Sequence, residues 1–461
     1  RCANCPDAGH QAGLRPQGDF ESGESHFDTM NPGERKMIIK LPYGKTHIEW
    51  HAEPRRIKAI LHTESSALKT TDSETEVVER ALAEPYGSAP LTELAKNKKN
   101  IVIISSDHTR PVPSHIIMPI LLAEINKANP AAKITILVAT GFHRGSTDSE
   151  LRTKYGDEIV DRVHIHVHDS KNDEMVDLGF LPSGGKLLIN KIAADADLLI
   201  AEGFIEPHFF AGFSGGRKSV LPGIVSYKTV LANHCARFIA SPNARAGMLE
   251  GNLMHRDMLF AAQRARLAFI VNVVLDENKR LVKAFAGHPE VAHQAGCSFV
   301  RGIARVASEP ADLVVVTNGG YPLDQNVYQA VKGMTAAEAT VKAGGVIIMA
   351  AECIDGHGGQ GFFDMLSTAA GPKELLEEIL SRKMDETVPD QWEAQVLSRV
   401  LTKAAVIMVT KAPRSMIEAM HMRWADSVEN ALSIAERIIN KDDYQITVIP
   451  DGVSVIVEEK N

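Results

Sequence analysis

Three polar segments of the chain carry residue types that can move protons and hold anions. They are Asp107-His108-Thr109-Arg110, Thr140-Gly141-Phe142-His143-Arg144 and Glu206-Pro207-His208-Phe209-Phe210. Each holds a histidine, whose near-neutral pKa lets it accept and return a proton at physiological pH. Arg110 adds a guanidinium, whose fork of donors matches a carboxylate. A fourth segment, Tyr328-Gln329-Ala330-Val331-Lys332, places Gln329 and Lys332 three residues apart, so on a helix both face one ligand. Lys332 would then be a second cation for the same small anion.

Between these lies Gly212-Phe213-Ser214-Gly215-Gly216-Arg217-Lys218-Ser219, which has the look of a phosphate loop. A nucleoside-triphosphate loop needs glycine directly before its Lys-Ser pair, and here that position is Arg217. Leu221-Pro222-Gly223 also breaks the helix such a loop must open. What stands is a glycine-rich loop presenting a reactive amine, Lys218, beside a bound phosphate; lysine amines form covalent links to cofactors. His234 follows sixteen residues later on a predicted helix. His164, His166 and His168 alternate and so share one face of a strand, compatible with a metal or with a solvated edge. Asp355-Gly356-His357-Gly358-Gly359 reads as a substrate-facing loop.

The elements that must position these residues are legible as alternation. Short aliphatic runs at 101–104, 134–139, 163–167, 198–201 and 269–275, with helical stretches between several of them, predict a mostly parallel sheet covered on both faces. A second series begins at 313–317 and continues through 346–350 and 405–410. The polar segments follow strands, and ligands in open α/β sheets bind beyond the carboxyl ends of strands. Residues 37–41 and 46–50 read as an edge hairpin, and Asp72-Ser73 as the cap of an amphipathic helix. At the end of the chain, 445–449 and 453–458 are expected to pair across Pro450-Asp451-Gly452.

Composition bounds the class. The 461 residues are 44% hydrophobic and 23% charged, with a net charge of −8, which excludes wholesale disorder and the broad positive field of a nucleic-acid binder. No run reaches the roughly 18 apolar residues that span a bilayer. Five cysteines show no disulfide framework, and the Cys2–Cys5 pair lacks partners for a zinc site. Reduced thiols and the lack of a secretory signal favour the cytoplasm.

Taken together, the Asp107–Arg110 and Thr140–Arg144 segments, the run Pro207–Ser219, Asn233-His234 and the run Tyr321–Gly333 resemble the nickel-pincer lactate racemase family, in order, from about Met37 to the C-terminus. The resemblance implies two α/β domains with mostly parallel sheets and the active site in the cleft between them. Residues 1–36 would be a leader or appended segment with little to bury. Residues 37–308 would form an N-terminal domain carrying cofactor and catalytic histidines, and 309–461 a C-terminal domain contributing substrate-binding residues. It further implies a Ni(II) pyridinium-3,5-bisthiocarboxylate mononucleotide attached covalently through Lys218, with His234 on the metal. Asp107, His108, Thr109, Arg110 and Tyr328 would contact the cofactor, and Arg110, Gln329 and Lys332 the substrate. His143 and His208 would be the acid/base pair on opposite faces of lactate, with hydride passing to the cofactor and back through pyruvate. Maturation enzymes (a carboxylase, a sulfur insertase and a nickel insertase) would be required partners. A racemase for another 2-hydroxy acid is the nearest competing expectation. A nicotinamide-dependent dehydrogenase lacks its G-x-G-x-x-G fingerprint, and a non-catalytic nickel or nucleotide-binding module would bind without exchanging the C2 hydrogen.

Overall fold

The computed structural model describes residues 36–64, 68, 70–276 and 278–460. Cys2, Cys5 and the expected leader lie outside the described residues. Two six-stranded sheets organise the chain. The first has the spatial order Leu281–Gly287, Leu267–Leu275, Leu198–Phe204, Asn100–Ser106, Lys133–Ala139 and His164–Val167. All its neighbours are parallel except the Leu267–Leu275 and Leu281–Gly287 pair. The second runs Arg423–Ala425, Ala405–Val409, Val341–Ala350, Ala311–Thr317, Ile446–Ile449 and Ile57–Ile60, parallel throughout.

Burial explains why these runs are strands. Ile101, Val102, Ile103 and Ile104 are all buried, as are Leu313 to Val316, because helices cover both faces and leave no solvent side to alternate toward. One apolar cluster joins Val102 and Ile104 to Phe210, Val230 and Phe238, and continues into Val314, Val316, Val396 and Leu397. The two sheets therefore share a core. The outer face of the second sheet packs on the hairpin Met37–Tyr43 and Thr46–Ala52, through Leu41 and Trp50. The expected helix cap is present: Ser73 and Glu76 form a reciprocal capping box at the start of Glu74–Ala83.

Two expectations need correction. Residues 445–449 and 453–458 do not form a hairpin. Ile446–Ile449 is fully buried and pairs in parallel with Ala311–Thr317 and Ile57–Ile60, while Ile456–Glu459 pairs in parallel with Arg305–Ser308. Asp451 accepts the amides of Val453 and Ser454, which spends the turn on a local loop. Second, the strand Ile57–Ile60 crosses to the sheet built from the C-terminal half, so the chain is not divided between the sheets at one point. A buried strand needs a partner on both edges, and no short-range pattern reveals a partner almost 400 residues away. Among the described residues no helix is long and apolar enough to cross a membrane.

Candidate active site

Each sheet has one place where the strand order reverses. In the first it lies between Asn100–Ser106 and Leu198–Phe204; in the second, between Ala311–Thr317 and Ile446–Ile449. Diverging loops leave a crevice at such a point. The segments after Ser106, Phe204 and Thr317 are those singled out by their chemistry, and they open onto one cleft of about 1180 Å3. Register adds the fourth segment. Ser106 lies opposite Ala139, so Asp107 and the Thr140–His143 turn leave their strands side by side.

His143 Nδ1 lies 2.7 Å from Asp107 Oδ2. The other carboxylate oxygen of Asp107 accepts Thr109 N at 3.0 Å and Thr109 Oγ1 at 2.6 Å. Burial by itself would raise this carboxyl, yet the His143 hydrogen bond and charge, Arg110 and Thr109 hold it well below the usual carboxylate range. Asp107 lines the cleft with its oxygens engaged by His143 and Thr109. His208 is presented differently. Pro207–His208 and Gly212–Phe213 form a small antiparallel turn, and His208 Nδ1 accepts the amide of Ala211 at 3.3 Å. Burial, then the cations Lys218, Lys332 and Arg110, push this imidazole far below its ordinary value. Phe209 and Phe210 stack and edge against it, with ring centroids at 5.0 and 4.6 Å.

Arg110 comes from the first sheet and Lys332 from the helix Val327–Thr340 behind the second. Among the described residues, neither they nor Lys218 has a carboxylate within 4.0 Å. Lys332 Nζ donates instead to Gln329 Oε1 at 2.5 Å. Burial and the Arg110 charge lower Lys332, against the pull of Glu206 and Glu393. Burial, Arg217, Arg110 and Lys332 lower Lys218 much further. An amine whose proton is weakened in this way is the better nucleophile. The loop that carries it is braced from behind by the buried guanidinium of Arg217, which donates to the carbonyls of Phe213 and Ala211, both at 2.7 Å.

His234 caps the C-terminus of Tyr227–Asn233, and its Nδ1 lies 3.0 Å from Val230 O. Burial and the Lys218 charge bring its pKa down to about 3. It is thus a neutral imidazole with Nε2 unengaged, the form that binds a metal. Trp392 packs edge-on against it at 5.1 Å and donates from Nε1 to Tyr328 Oη at 2.9 Å. His108 also lines the cleft, with Nδ1 3.1 Å from Ser146 Oγ. So do Asp355, Gly358 and Gly359. His166 and His168 do not: they bond to Asp173 and to Asn190 and Val225. The cleft-lining residues Asp390, Trp392 and Glu393 escape sequence reasoning. They begin the helix Gln391–Lys403, whose periodicity reads as ordinary packing. The available signal was a run of polar residues and tryptophan on a buried helix start.

Site and fold together define an α/β protein with a two-histidine cleft, cationic on both walls, beside a nucleophilic lysine. Family models for the lactate racemase N-terminal domain and C-terminal domain match residues 43–247 and 306–457. A lactate racemase of Thermoanaerobacterium thermosaccharolyticum is 56% identical over 92% of this chain and 99% of its own length. One of Lactiplantibacillus plantarum is 53% identical over 92% and 100%. The solved lactate racemase apoprotein of Thermoanaerobacterium thermosaccharolyticum superposes with a TM-score of 0.89, covering 92% of this chain and all of that one. A Thermotoga maritima protein shares the fold at 19% identity and a TM-score of 0.62, over 84% and 98% of the two chains. The chain belongs to the lactate racemase family.

Proposed function

We propose that this chain interconverts D- and L-lactate around a nickel pincer nucleotide tethered to Lys218. One observation carries the reading: Arg110 and Lys332 converge from different sheets, without carboxylate partners, on a cleft that also holds His143 and His208. Two cations suit one small carboxylate. The aromatic wall of Phe209 and Phe210 beside His208 suits a methyl group better than a polar chain.

The residues fit the cofactor. The cleft is far larger than lactate requires, the Lys218 amine is held well below its ordinary pKa by burial and neighbouring cations, and His234 keeps Nε2 clear of hydrogen bonds among the described residues. Glu202 and Glu393 each line the cleft and keep one buried oxygen without a partner, as a ligand rich in hydroxyl donors would need. Among the described residues no group of three or more His, Cys, Asp or Glu can hold a metal. A nickel ion on His234 would therefore depend on ligands from a bound group, as a pincer provides. Asp107 would serve it through Thr109, and His108, Thr109, Arg110 and Tyr328 would border it. The first sheet would carry the cofactor, the histidines and Arg110, and the helix Val327–Thr340 the remaining clamp residues, Gln329 and Lys332. Enzymes that carboxylate, sulfurate and insert nickel into the precursor would be partners in maturation.

When bound, the pincer nucleotide supplies a reversible hydride acceptor for the hydrogen on C2. The chain does the rest. Arg110 and Lys332 fix the carboxylate, Gln329 aims the Lys332 ammonium, and C2 is held in one place while it becomes the planar centre of pyruvate. His143 and His208 move the hydroxyl proton on the two sides of the substrate. The test is to co-produce the chain with the three maturation activities, resolve the lactate enantiomers after incubation with either one, and map the added mass. Racemisation together with an adduct on Lys218 is expected. Racemisation by protein with no adduct would sink the tethered cofactor, and turnover of larger 2-hydroxy acids but not lactate would sink the substrate.

A further inference from the structure

The two histidines are not equivalent. His143 Nδ1 faces a buried carboxylate, which can only accept, so Nδ1 carries the proton and Nε2 a lone pair. His208 Nδ1 faces the backbone amide of Ala211, which can only donate, so Nδ1 carries the lone pair and Nε2 the proton. We infer that Asp107 and the Ala211 amide hold His143 and His208 in opposite tautomers, so that His143 is set as the proton acceptor while His208 presents an N–H to the substrate oxygen. This rests on the racemase reading of the cleft and alters its symmetry. Asp107 acts as a positioning residue. It also stabilises the imidazolium that forms when the hydroxyl proton reaches His143 Nε2. His208 can exchange a proton through Nε2 only after its contact with Ala211 opens, since an imidazole carrying one proton on Nε2 cannot give it up at neutral pH.

The surroundings reinforce the difference. His143 is faced by Asp107 from the first sheet and by Asp390 from the other side of the cleft, with Thr109 Oγ1 at 3.3 Å. His208 is surrounded by Lys218, Arg217, Lys332 and Arg110. Carboxylates face the first ring, and cations crowd the second.

The substitution that isolates the effect is Asp107→Asn. Thr109 donates twice to Oδ1 and so would hold the amide oxygen there, turning the new NH2 toward His143 Nδ1. The proton of His143 must then move to Nε2, which removes the acceptor. The measurement is the imidazole 15N spectrum of the full-chain apoprotein labelled at histidine, with His143→Gln and His208→Gln identifying the two rings. At pH 7.5 the wild-type protein is expected to have an unprotonated Nε2 on His143 and an unprotonated Nδ1 on His208. Matching tautomers, or a proton on His208 Nδ1, would overturn the inference even if the variant failed to fold. Asp107→Asn should switch His143 alone and lower kcat of the loaded enzyme by roughly 100-fold or more for both enantiomers. The accompanying fall in kcat/KM must be equal in both directions, because the enantiomers have equal free energy. A switched His143 with unchanged kcat would refute the positioning role. Expected tautomers in a loaded wild-type protein that leaves lactate unchanged would instead refute the racemase reading.

Discussion

At the residue scale, the substrate clamp is where charge, geometry and burial act together. The molecule is acidic overall, with a net charge of −8, so its general field opposes an anionic substrate. Affinity must come from cations that no carboxylate has already neutralised. Arg110 and Lys332 meet that condition, whereas Arg144, also on the cleft, is spent on Glu150 at 2.6 Å. A charge-assisted hydrogen bond contributes about 1.5–3 kcal/mol. Lys332→Gln should therefore lower kcat/KM roughly 10- to 100-fold, mainly through KM, in steady-state assays of loaded enzyme. Gln329→Leu leaves the ammonium in place but unaimed and should cost only a few-fold. If Gln329→Leu were the more damaging of the two, Gln329 would be touching substrate directly and Lys332 would not be the anchor.

At the element scale, the clamp depends on how the helix Val327–Thr340 begins. Asn326 caps it by accepting the Gln329 amide at 3.0 Å, so the cap holds the very residue that aims Lys332. Losing such a cap costs about 1 kcal/mol of stability. Asn326→Ala should show that loss in denaturant titration together with a raised KM for lactate. Gly358 approaches the same cap from the next loop. Its φ is +84°, and a Cβ there would meet Asn326 side-chain atoms at 2.4 Å. Gly358→Ala should therefore reproduce the KM effect of Asn326→Ala, and a normal KM would show that the helix start tolerates displacement. The Gln329 and Lys332 pairing was visible in the sequence, because an i,i+3 pair is a local pattern, whereas the Asn326 cap that orients it was not read. The Gln391–Lys403 helix was equally visible as a helix, yet its role was not. Trp392 reaches His234 through long-range packing of this helix, in which Gln395 donates to the carbonyl of Ala236, 159 residues earlier in the chain, at 2.9 Å. The same limit explains Ile446–Ile449. Its apolar run declared a strand, but the choice between a hairpin partner and two distant parallel partners was decided by burial on both edges.

At the scale of the whole molecule, one core passes through both sheets, so protonation of buried groups on either side bears on the stability of all of it. The buried histidines of the described residues include His168 against Asn190 and Val225, His234 beside the cleft, and His293 beneath the Lys218 loop. Burial is the leading cause that lowers all three, joined by Lys218 at His234 and Arg217 at His293. In the unfolded chain each titrates near its ordinary value of about 6.5. Between that value and the lowered folded values, these rings bind more protons in the unfolded state than in the folded one, so their contribution to stability falls as pH falls below about 6.5. Each group contributes up to about 1.4 kcal/mol per pH unit in that window. Asp107 shifts in the opposite regime: its depressed carboxyl adds stability above about 3.9, which is lost only on further acidification, so it does not blur the histidine window. Glu393, whose carboxyl is pushed up to about 8 by burial, acts in the opposite direction over the same interval, so the histidine share is isolated by asking how the apoprotein's stability difference between pH 7.5 and 5.5, read by denaturant titration, changes when one ring is removed. His293→Gln, which removes one titrating group from beneath the cofactor loop, should shrink that difference by up to about 1.4 kcal/mol even if it lowers stability at both pH values. A pH difference left unchanged by His293→Gln would mean that this ring finds a proton or water that the packed structure denies it.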